Sequence, residues 1–372
     1  MQINIPDTGQ KRVVVLGGGF AGLTLVNKLR KSDFQVVLID KNNYHQFQPL
    51  FYQVATAGLE PSSIVYPLRK MFQRNHNVYI RITEVTAVNT AENLLSTPLG
   101  DIRYDHLVLA TGVDTNYFGN AQLAANVIPM KSVSEALYLR NALFSDFESA
   151  VTSEGQPQQA LLDIIVVGGG PTGVEVAGAL AEMRKHVLPK DYPELDSSQI
   201  DIHLIQGAPR LLDGMSEEAS AASLRFLQAM EVKVRLGTYV KDFDGKTLTM
   251  SDGSQLSAKK VIWAAGITGH PIPGIPVEAY GPGKRIKVNA FNQVEGLDNV
   301  YAIGDNALRM DDSYPKGHPQ VAQVAMQMAA NLAENLKRAA KSQVPKPFVY
   351  KDLGSMATIG RNKAVADLPF LK

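Results

Sequence analysis

The apolar residues of the chain repeat one strand–helix–strand pattern twice. In the first copy, an apolar run at 13–16 is followed by the glycine-rich stretch 17–22, a helical segment at 23–31, and a second apolar run at 36–39 that ends at Asp40. Unbroken short apolar runs are typical of strands buried on both faces, and a one-sided apolar pattern is typical of an amphipathic helix. The pattern therefore predicts an α/β fold with parallel strands.

The second copy has the same order. The apolar run 164–167 precedes the glycine-rich stretch 168–173, a helical segment at 174–187 follows, and the next run, 202–205, ends at Gln206. The two glycine motifs are 151 residues apart (168 − 17). This spacing suggests a degenerate internal repeat.

A second pair of sequence marks supports the duplication. An apolar run ends at Thr111-Gly112 in the first copy and at Ala265-Gly266 in the second, and these ends are 154 residues apart (266 − 112). Two pairs of marks with nearly the same offset argue for duplicated domains, because unrelated glycines would not keep this spacing.

The remaining segments set the predicted boundaries. Further helices are expected at about 132–149 and 320–341, and a linker at 155–157. The predicted domains are a first domain at 1–160 and 290–345, a second domain inserted into it at 161–289, and the start of a C-terminal segment at 346–372.

The glycine motifs indicate dinucleotide binding. A G-x-G-x-x-G motif alone is a weak signal, but both copies follow a strand and precede a helix, which is the required context. Gly17 would make the tight turn, Gly19 would admit a pyrophosphate to the backbone, and Gly22 would let helix and strand pack closely. The helix N-terminus offers N–H groups and a positive dipole end to phosphates. In the second copy, Pro171 suits a first helical turn.

The residues at the strand ends predict how each site treats ribose and phosphate. Asp40 lies 18 residues beyond Gly22 (40 − 22) and can accept hydrogen bonds from ribose hydroxyls. Gln206 is neutral, and an amide would not repel the 2′-phosphate of NADPH as a carboxylate would. We therefore expect weak discrimination between NADH and NADPH. At a third strand end, Asp305 would either meet the ribityl chain of a flavin or cap the next helix.

Composition excludes several kinds of chemistry. The chain has no cysteine, so disulfides, thiolate metal sites, iron–sulfur clusters and cysteine redox relays are ruled out, and electron chemistry would need a bound cofactor. The seven histidines show no ligand spacing, and no metal site is expected. A net charge of +1 without a basic run gives no support for a nucleic-acid partner. We find no signal peptide and no apolar stretch long enough to span a membrane.

Together these motifs resemble the flavoproteins with two dinucleotide-binding domains, in which the first Rossmann-like site holds FAD and the second holds NAD(P)H. Four further stretches resemble the type II NADH:quinone oxidoreductases: NYHQFQPLFYQVA (43–55), GVEVAGALAE (173–182), AQVAMQ (322–327) and IGRNKAV (359–365). The resemblance covers nearly the whole chain. It implies a non-pumping enzyme at the membrane surface that passes electrons from NADH to a quinone.

The resemblance and the motifs together assign the site residues. FAD is expected to contact Gly17, Gly19, Phe20, Ala21, Gly22, Asp40, Lys41, Gln48, Pro49, Thr111, Gly112, Gly304, Asp305 and Gln323. The nicotinamide dinucleotide is expected to contact Gly168, Gly170, Pro171, Thr172, Gly173, Glu175, Gln206, Ala265 and Gly266. By the same resemblance, Gln323 lines the quinone pocket, Glu182 lies between the nicotinamide and flavin sites as a proton relay, and Lys363 lies near the flavin and helps proton balance.

From the residues alone, these roles have alternatives. Glu182 would otherwise be a surface residue paired with Arg184 or Lys185. Gln323 would otherwise serve close helix packing, with its amide satisfied internally. Lys363 would otherwise be a solvated loop residue.

Three classes of function stay open at this point. The first is a quinone reductase, the second a soluble reductase of a ferredoxin or rubredoxin, and the third a flavoprotein resembling the apoptosis-inducing factors. The sequence stops at 370–372, where the resembled family continues with an amphipathic tail that lies on the membrane. We interpret this as a truncated or naturally short form, peripheral on the cytoplasmic side of the inner or cell membrane, or soluble if the tail is truly absent. A homodimer is left open.

Overall fold

The computed structural model describes residues 3–152 and 159–369. The predicted linker at 155–157 and the terminal residues 370–372 lie outside these ranges. The chain divides into two compact units, the first made of Met1–Gln46, Tyr66–Asp114 and Ile267–Asp352 and the second of Phe47–Val65, Thr115–Gly266 and Leu353–Lys372. The bulk of the second unit is thus inserted in the first. The unit boundaries differ from the predicted domain boundaries at 47–65, 115–160 and 267–289, and the predicted C-terminal segment 346–372 is divided between the units after Asp352.

The first unit is built on a five-stranded parallel sheet. Its strands, in order across the sheet, are Val300–Ala302, His106–Leu109, Arg12–Leu16, Gln35–Asp40 and Val78–Ile82. In the central strand, Val14 lies between Val37 and Leu107, and all three side chains are fully buried. The continuous apolar runs are therefore strands covered on both faces, as expected for a parallel sheet.

Two helices of the first unit, Phe20–Leu29 and Ala322–Ala339, pack against each other. The second helix buries residues three and four apart, including Val324, Met328 and Leu332, which form one apolar stripe. The remaining elements of this unit are the antiparallel strands Ala87–Asn89, Leu94–Thr97 and Gly100–Arg103, the paired strands Ile286–Val288 and Ala307–Arg309, the helix Leu68–Phe72, and the 3-10 turns Val277–Ala279 and Pro282–Lys284.

The second unit repeats this plan. Its parallel sheet has the order Ile128–Pro129, Lys260–Trp263, Ile164–Val167, Ile202–Ile205 and Lys233–Arg235, beside the antiparallel strands Val240–Phe243, Thr247–Met250 and Gln255–Ser257. Its helices are Phe51–Ala55, Ala121–Asn126, Val133–Val151, Gln159–Leu162, Pro171–His186, Leu188–Asp191 and Glu217–Ala229, with 3-10 turns Gln48–Leu50, Pro61–Ser63 and Ser197–Gln199. Four of the five strands have the same chain order in both sheets, which confirms the duplicated Rossmann-like architecture inferred from the two offsets. The edge strands differ, because Val300–Ala302 is the last strand of its sheet in sequence and Ile128–Pro129 is the first of its sheet.

A C-terminal hairpin, formed by Ser355–Ile359 and Lys363–Asp367, completes the second unit. It packs against Pro171–His186, and a Cβ on Gly178 would lie within 2.5 Å of the Gly360 nitrogen. Asp367 also accepts hydrogen bonds from the backbone N–H and the hydroxyl of Ser216, which caps the next helix. These contacts place the hairpin on the face of the glycine-loop helix.

Four short strands lie at the sequence boundaries between the units, at Tyr44–Gln46, Val65–Pro67, Asp114–Thr115 and Ile267–Thr268. Within the described ranges, no helix combines the length and the apolar character needed to cross a bilayer.

The helices after the glycine motifs begin three residues earlier than predicted, at Phe20 instead of 23 and at Pro171 instead of 174. The cause is that the third glycine of each motif lies inside the first helical turn and packs on the preceding strand end. The helix Val133–Val151 matches the predicted 132–149 closely, and its start is fixed by a capping box between Ser132 and Glu135.

Candidate functional site

The first glycine loop, residues 17–22, connects Arg12–Leu16 to the following helix. Gly17 has a φ of 102°, and a Cβ there would overlap the carbonyl oxygen of Ala110. A Cβ on Gly22 would overlap the carbonyl oxygen of Gly17. Glycine is thus required at both positions, because the loop passes directly beside the neighbouring strand end and the helix packs on the loop.

The second glycine loop, residues 168–173, has the same geometry. Gly168 has a φ of 111°, a Cβ on it would overlap the carbonyl oxygen of Ala264, and a Cβ on Gly173 would overlap the carbonyl oxygen of Gly168. The predicted strand-end pair at Ala265-Gly266 directly follows this contact. Both predicted fingerprints therefore form equivalent turns.

The middle glycine of each loop faces open space. A Cβ built on Gly19 or on Gly170 would meet no heavy atom of the described chain within 4 Å. Both residues are helix N-caps in extended conformation, and as glycines they offer no side-chain acceptor to the N–H groups of the first turn. A helix N-terminus that has no side-chain cap and lies beside open space fits a pyrophosphate. The residues of each loop thus fit a dinucleotide.

The strand-end residues Asp40 and Gln206 occupy equivalent places. Asp40 Oδ2 accepts a hydrogen bond from Gly18 N at 2.6 Å, and Gln206 Oε1 accepts one from Gly169 N at 2.9 Å. Burial raises the pKa of Asp40, and backbone hydrogen bonds from Asn42 and Gly18 offset part of this shift. The two sites therefore share a geometry and differ in charge, as the sequence predicted.

Further candidates in the first unit converge on its glycine loop. Gly304 has a φ of 80°, and a Cβ on it would lie 3.0 Å from Ala21 Cβ and 3.4 Å from Ala325 Cβ. Gly304 thus lies between the loop helix and the helix that carries Gln323 in its first turn. Asp305 follows directly and is half-buried. The strand-end motif, the loop and the Gln323 helix form one cluster.

Asn306 is a residue of this cluster that sequence reasoning missed. Its amide donates to Leu109 O at 3.1 Å and to Thr111 Oγ1 at 3.3 Å, and its side chain is 3% exposed. Its Oδ1 is buried and accepts no hydrogen bond from the residues that the structure describes. Its position directly after Gly304-Asp305 was the available signal.

The surroundings of Glu175 in the second unit shift its pKa. Burial raises its pKa from 4.5 to about 7, and hydrogen bonds from the backbone N–H and hydroxyl of Thr358 counteract part of this shift. Thr358 N lies 3.4 Å and Thr358 Oγ1 3.5 Å from Glu175 Oε1. A carboxyl that titrates near neutrality is suited to proton exchange at physiological pH.

Glu182 lies two turns further along the same helix. Its Oε1 accepts a hydrogen bond from Arg361 N at 3.3 Å, and its Oε2 lies 3.4 Å from His186 Nε2. The alternative pairing with Arg184 is wrong, because Arg184 is buried and binds Glu231 at 2.8 Å. The helix geometry explains this, since residues four apart face each other and residues two apart do not.

Several predicted residues are exposed. Lys363 begins the second hairpin strand, is exposed, and has its Nζ 5.4 Å from the centre of the Phe226 ring. Lys41 is exposed in the first unit, and Gln48 and Pro49 are exposed on a 3-10 turn of the second. Phe20 and Gly112 are half-buried, whereas Thr111, Pro171 and Thr172 are exposed. Their contacts with cofactors stay predictions.

One histidine does group with acidic residues, which the spacing of the histidines did not suggest. Asp163, Asp201 and His203 bring potential ligand atoms within 4.8 Å of one another. Lys233 already forms an ion pair with Asp201, and Gln159 donates to Asp163 Oδ1 at 2.7 Å. The ammonium group of Lys233 therefore already supplies a positive charge to this cluster, which is consistent with a structural role.

Comparison with known proteins agrees with the site geometry. The family described as Pyridine nucleotide-disulphide oxidoreductase matches residues 11–329. The type II NADH:quinone oxidoreductase Ndh of Mycobacterium tuberculosis is 35% identical over 96% of this chain and 79% of that protein. The type II NADH:quinone oxidoreductase of Staphylococcus aureus is 27% identical over 96% of this chain and 89% of its own length.

Among solved structures, NDH2 from Plasmodium falciparum in complex with NADH superposes with a TM-score of 0.89 at 23% identity, covering 97% of this chain and 91% of that one. The sulfide:quinone oxidoreductase of Aquifex aeolicus shares the fold with a TM-score of 0.75 at 18% identity, covering 96% and 87% of the two chains. From the extent of the family match and the identity to its relatives, the chain belongs to the pyridine nucleotide-disulphide oxidoreductases and, within them, to the type II NADH:quinone oxidoreductases.

Proposed function

We propose that this protein catalyses the reaction NADH + H⁺ + quinone → NAD⁺ + quinol, with FAD as its resident cofactor and without pumping protons. The main support for this proposal is the pair of equivalent glycine loops in a chain that belongs to the type II family. One loop lies beside the carboxylate of Asp40 and the other beside the amide of Gln206. Two dinucleotide sites in one chain are what an enzyme needs to transfer electrons between a flavin and a nicotinamide.

FAD is assigned to the first unit. Gly17, Gly19 and Gly22 would admit its pyrophosphate, and Asp40 would bind its adenosine ribose. Asp305 and Asn306 would contact its flavin half from the third strand end, and Thr111 from the neighbouring one. When bound, FAD supplies two-electron chemistry that accepts hydride from NADH and passes electrons to the acceptor. Gln48, Pro49 and Lys41 belong to this proposal through the family resemblance.

NADH is assigned to the second glycine loop. Gly168, Gly170 and Gly173 shape the turn, Pro171 and Thr172 open the helix, and the helix N-terminus binds the pyrophosphate. Glu175, Ala265 and Gly266 would lie along the nicotinamide half, as the family resemblance implies.

The neutral Gln206 is proposed to permit NADPH as a second substrate. In Gln206→Glu, we expect kcat/KM with NADPH to fall about tenfold or more relative to NADH, because a carboxylate repels the 2′-phosphate. Steady-state rates with both nucleotides measure the ratio. Gln255→Glu, on an exposed strand of the same unit, adds the same charge elsewhere and should leave the ratio unchanged. Wild-type efficiency with NADPH at a thousandth of that with NADH, or below, would contradict the role of Gln206.

Quinone reduction consumes protons, and Glu175 is the best-supported group for holding one. It is partly buried and titrates near neutrality. Glu182 and Lys363 remain proposed participants by family resemblance; they lie on the same unit, with Glu182 bound to the hairpin turn at Arg361. Gln323 is proposed to line the quinone pocket, since its helix packs on Gly304 through the small residue Ala325.

Attachment to a membrane surface through a C-terminal segment, and pairing of two copies, belong to the same proposal. The supporting feature is the C-terminal hairpin region, where the apolar side chains of Leu353, Met356 and Leu368 are 55%, 66% and 41% exposed. Such a region would suit a peripheral enzyme on the cytoplasmic face of the inner or cell membrane.

Anaerobic reduction of the purified protein tests the function. We expect NADH to bleach the flavin absorbance and a short-chain ubiquinone or menaquinone to restore it rapidly. In Gln323→Ala, bleaching by NADH should be unchanged while the recovery with quinone slows. Bleaching without recovery in the wild type would favour a protein acceptor, and a protein with no flavin spectrum after FAD is supplied would overturn the proposal.

A further inference from the structure

A chain of hydrogen bonds leads to Glu175 from two other elements of the second unit. Gln53 Nε2 lies 3.0 Å from Tyr52 Oη, which lies 3.0 Å from Thr358 Oγ1. Thr358 Oγ1 in turn lies 3.5 Å from Glu175 Oε1. Gln53 and Tyr52 belong to Phe51–Ala55 and Thr358 to the C-terminal hairpin, so the chain joins three elements.

The hydrogen bonds at the two ends of the chain fix its direction. A side-chain amide N–H donates and cannot accept, so the Tyr52 oxygen is the acceptor from Gln53. Thr358 has one hydroxyl proton, which it donates to Glu175, so its oxygen accepts the hydroxyl proton of Tyr52. Every donor in the chain therefore points toward the carboxyl oxygen. Such an arrangement favours the ionised form of the carboxyl over the protonated one.

We propose that Gln53, Tyr52 and Thr358 are positioning residues that hold this directed chain on Glu175 and so keep its carboxyl able to release and regain a proton during turnover. The proposal deepens, and rests on, the assignment of Glu175 to proton supply in quinone reduction. None of the three residues needs to touch a substrate for this role, because they act through the carboxyl.

Two opposing influences act on Glu175. Burial raises its pKa, and the two Thr358 groups lower it, with a net value of about 7. Without the hydroxyl of Thr358, only its backbone N–H would oppose the effect of burial, and the carboxyl would stay protonated to higher pH. Thr358 is thus the residue whose hydroxyl links the remainder of the chain to the titrating group.

Other titratable groups on the packed elements do not explain the titration. The elements that pack on the Glu175 helix carry the titratable residues Tyr52, Lys190, Asp191, His203, Glu217, Glu218 and Arg225, and the second hairpin strand adds Lys363 and Asp367. Within the described part of the chain, the pKa of Glu175 is shifted by its burial and by the two hydrogen-bonding groups of Thr358. Tyr52 reaches it through Thr358.

The test is a titration of the Glu175 carboxyl in the FAD-loaded enzyme by infrared spectroscopy, with Glu175→Gln used to assign its C=O band. In Thr358→Val, which keeps the branched shape and removes the hydroxyl, we expect the midpoint to move upward by about half a pH unit to one. Tyr52→Phe should move it in the same direction by less, and Thr358→Ser should restore the wild-type midpoint. The pH at half-maximal quinone reduction should shift in parallel.

Thr56→Val is the matched control. Thr56 is buried at the C-terminal end of the helix Phe51–Ala55, which carries Tyr52 and Gln53. Its hydroxyl donates to the backbone oxygen of Tyr52 at 2.9 Å and takes no part in the hydrogen-bond chain to Glu175. Its midpoint should equal that of the wild type.

An unchanged midpoint in both Thr358→Val and Tyr52→Phe, with FAD content preserved, would overturn the proposal. A midpoint shift equal to that of Thr358→Val in the Thr56→Val control would overturn it too, because any packing change would then suffice. The proposed function fails separately: in that case the wild type shows no quinone reduction, while the infrared midpoints still report on the chain.

Discussion

Gly22→Ala is expected to yield a protein without FAD, whereas Gly173→Ala is expected to retain FAD and lose reduction by NADH. The added methyl group would overlap the carbonyl oxygen of Gly17 in the first case and of Gly168 in the second. Each helix must then move away from its loop, and the backbone N–H groups of its first turn no longer point at the pyrophosphate. Overpacking of this kind costs about 1–3 kcal/mol, which corresponds to a roughly 10- to 100-fold loss of affinity.

The measurement is the flavin-to-protein ratio from absorbance after gel filtration, followed by bleaching with NADH. Gly214→Ala serves as the control, since a Cβ there meets no described atom within 4 Å. Retention of full FAD by Gly22→Ala, or loss of FAD from Gly173→Ala without loss of the fold, would mean that the two sites are assigned to the wrong units.

Glu175→Gln is expected to slow quinone reduction and to stabilise the fold at high pH. Removing a proton-transfer group typically lowers a rate by about 100-fold or more. The pKa of Glu175 is raised from 4.5 to about 7 in the folded state, so the unfolded chain ionises first as the pH rises. Stability is therefore lost between pH 4.5 and 7, and the wild type carries a penalty of at most about 3 kcal/mol at pH 8 that the amide lacks.

Urea unfolding at fixed FAD concentration, at pH 5 and pH 8, tests the second effect. The difference in unfolding free energy between Glu175→Gln and wild type should grow with pH in favour of the variant. Glu92→Gln removes a carboxyl from an exposed turn and should show no such growth. A variant that is less stable than wild type at pH 8 would contradict the sign of the pKa shift.

The parts of the fold that were predictable from sequence are those encoded locally. The paired strands and glycine loops could be located because a buried parallel strand is a continuous apolar run and a tight turn beside a strand requires glycine at fixed spacing. The helix starts were misplaced because the position of Gly22 and Gly173 inside the first turn depends on packing against the loop, which spacing does not encode.

The residue proposed to hold a proton illustrates what spacing could not reveal. Glu175 and Glu182 are two carboxylates on one helix, and the family resemblance, not the spacing of the residues, favoured Glu182 as the relay. Burial and Thr358 distinguish Glu175, and Thr358 meets it only because the C-terminal hairpin packs on that helix. Asn306 was missed for a similar reason, since its partners Leu109 and Thr111 lie at and just beyond the end of a strand far away in sequence.

The strand order of the first unit has a consequence for synthesis and folding. Val300–Ala302 pairs with His106–Leu109, and residues 115–266 of the second unit are made between them. The sheet that carries the first glycine loop is therefore incomplete until most of the chain has left the ribosome, and its closure depends on a contact of very high sequence separation. Nascent chains that end before residue 300 would expose the edge of His106–Leu109 and leave its backbone N–H and C=O groups open to pairing with another chain.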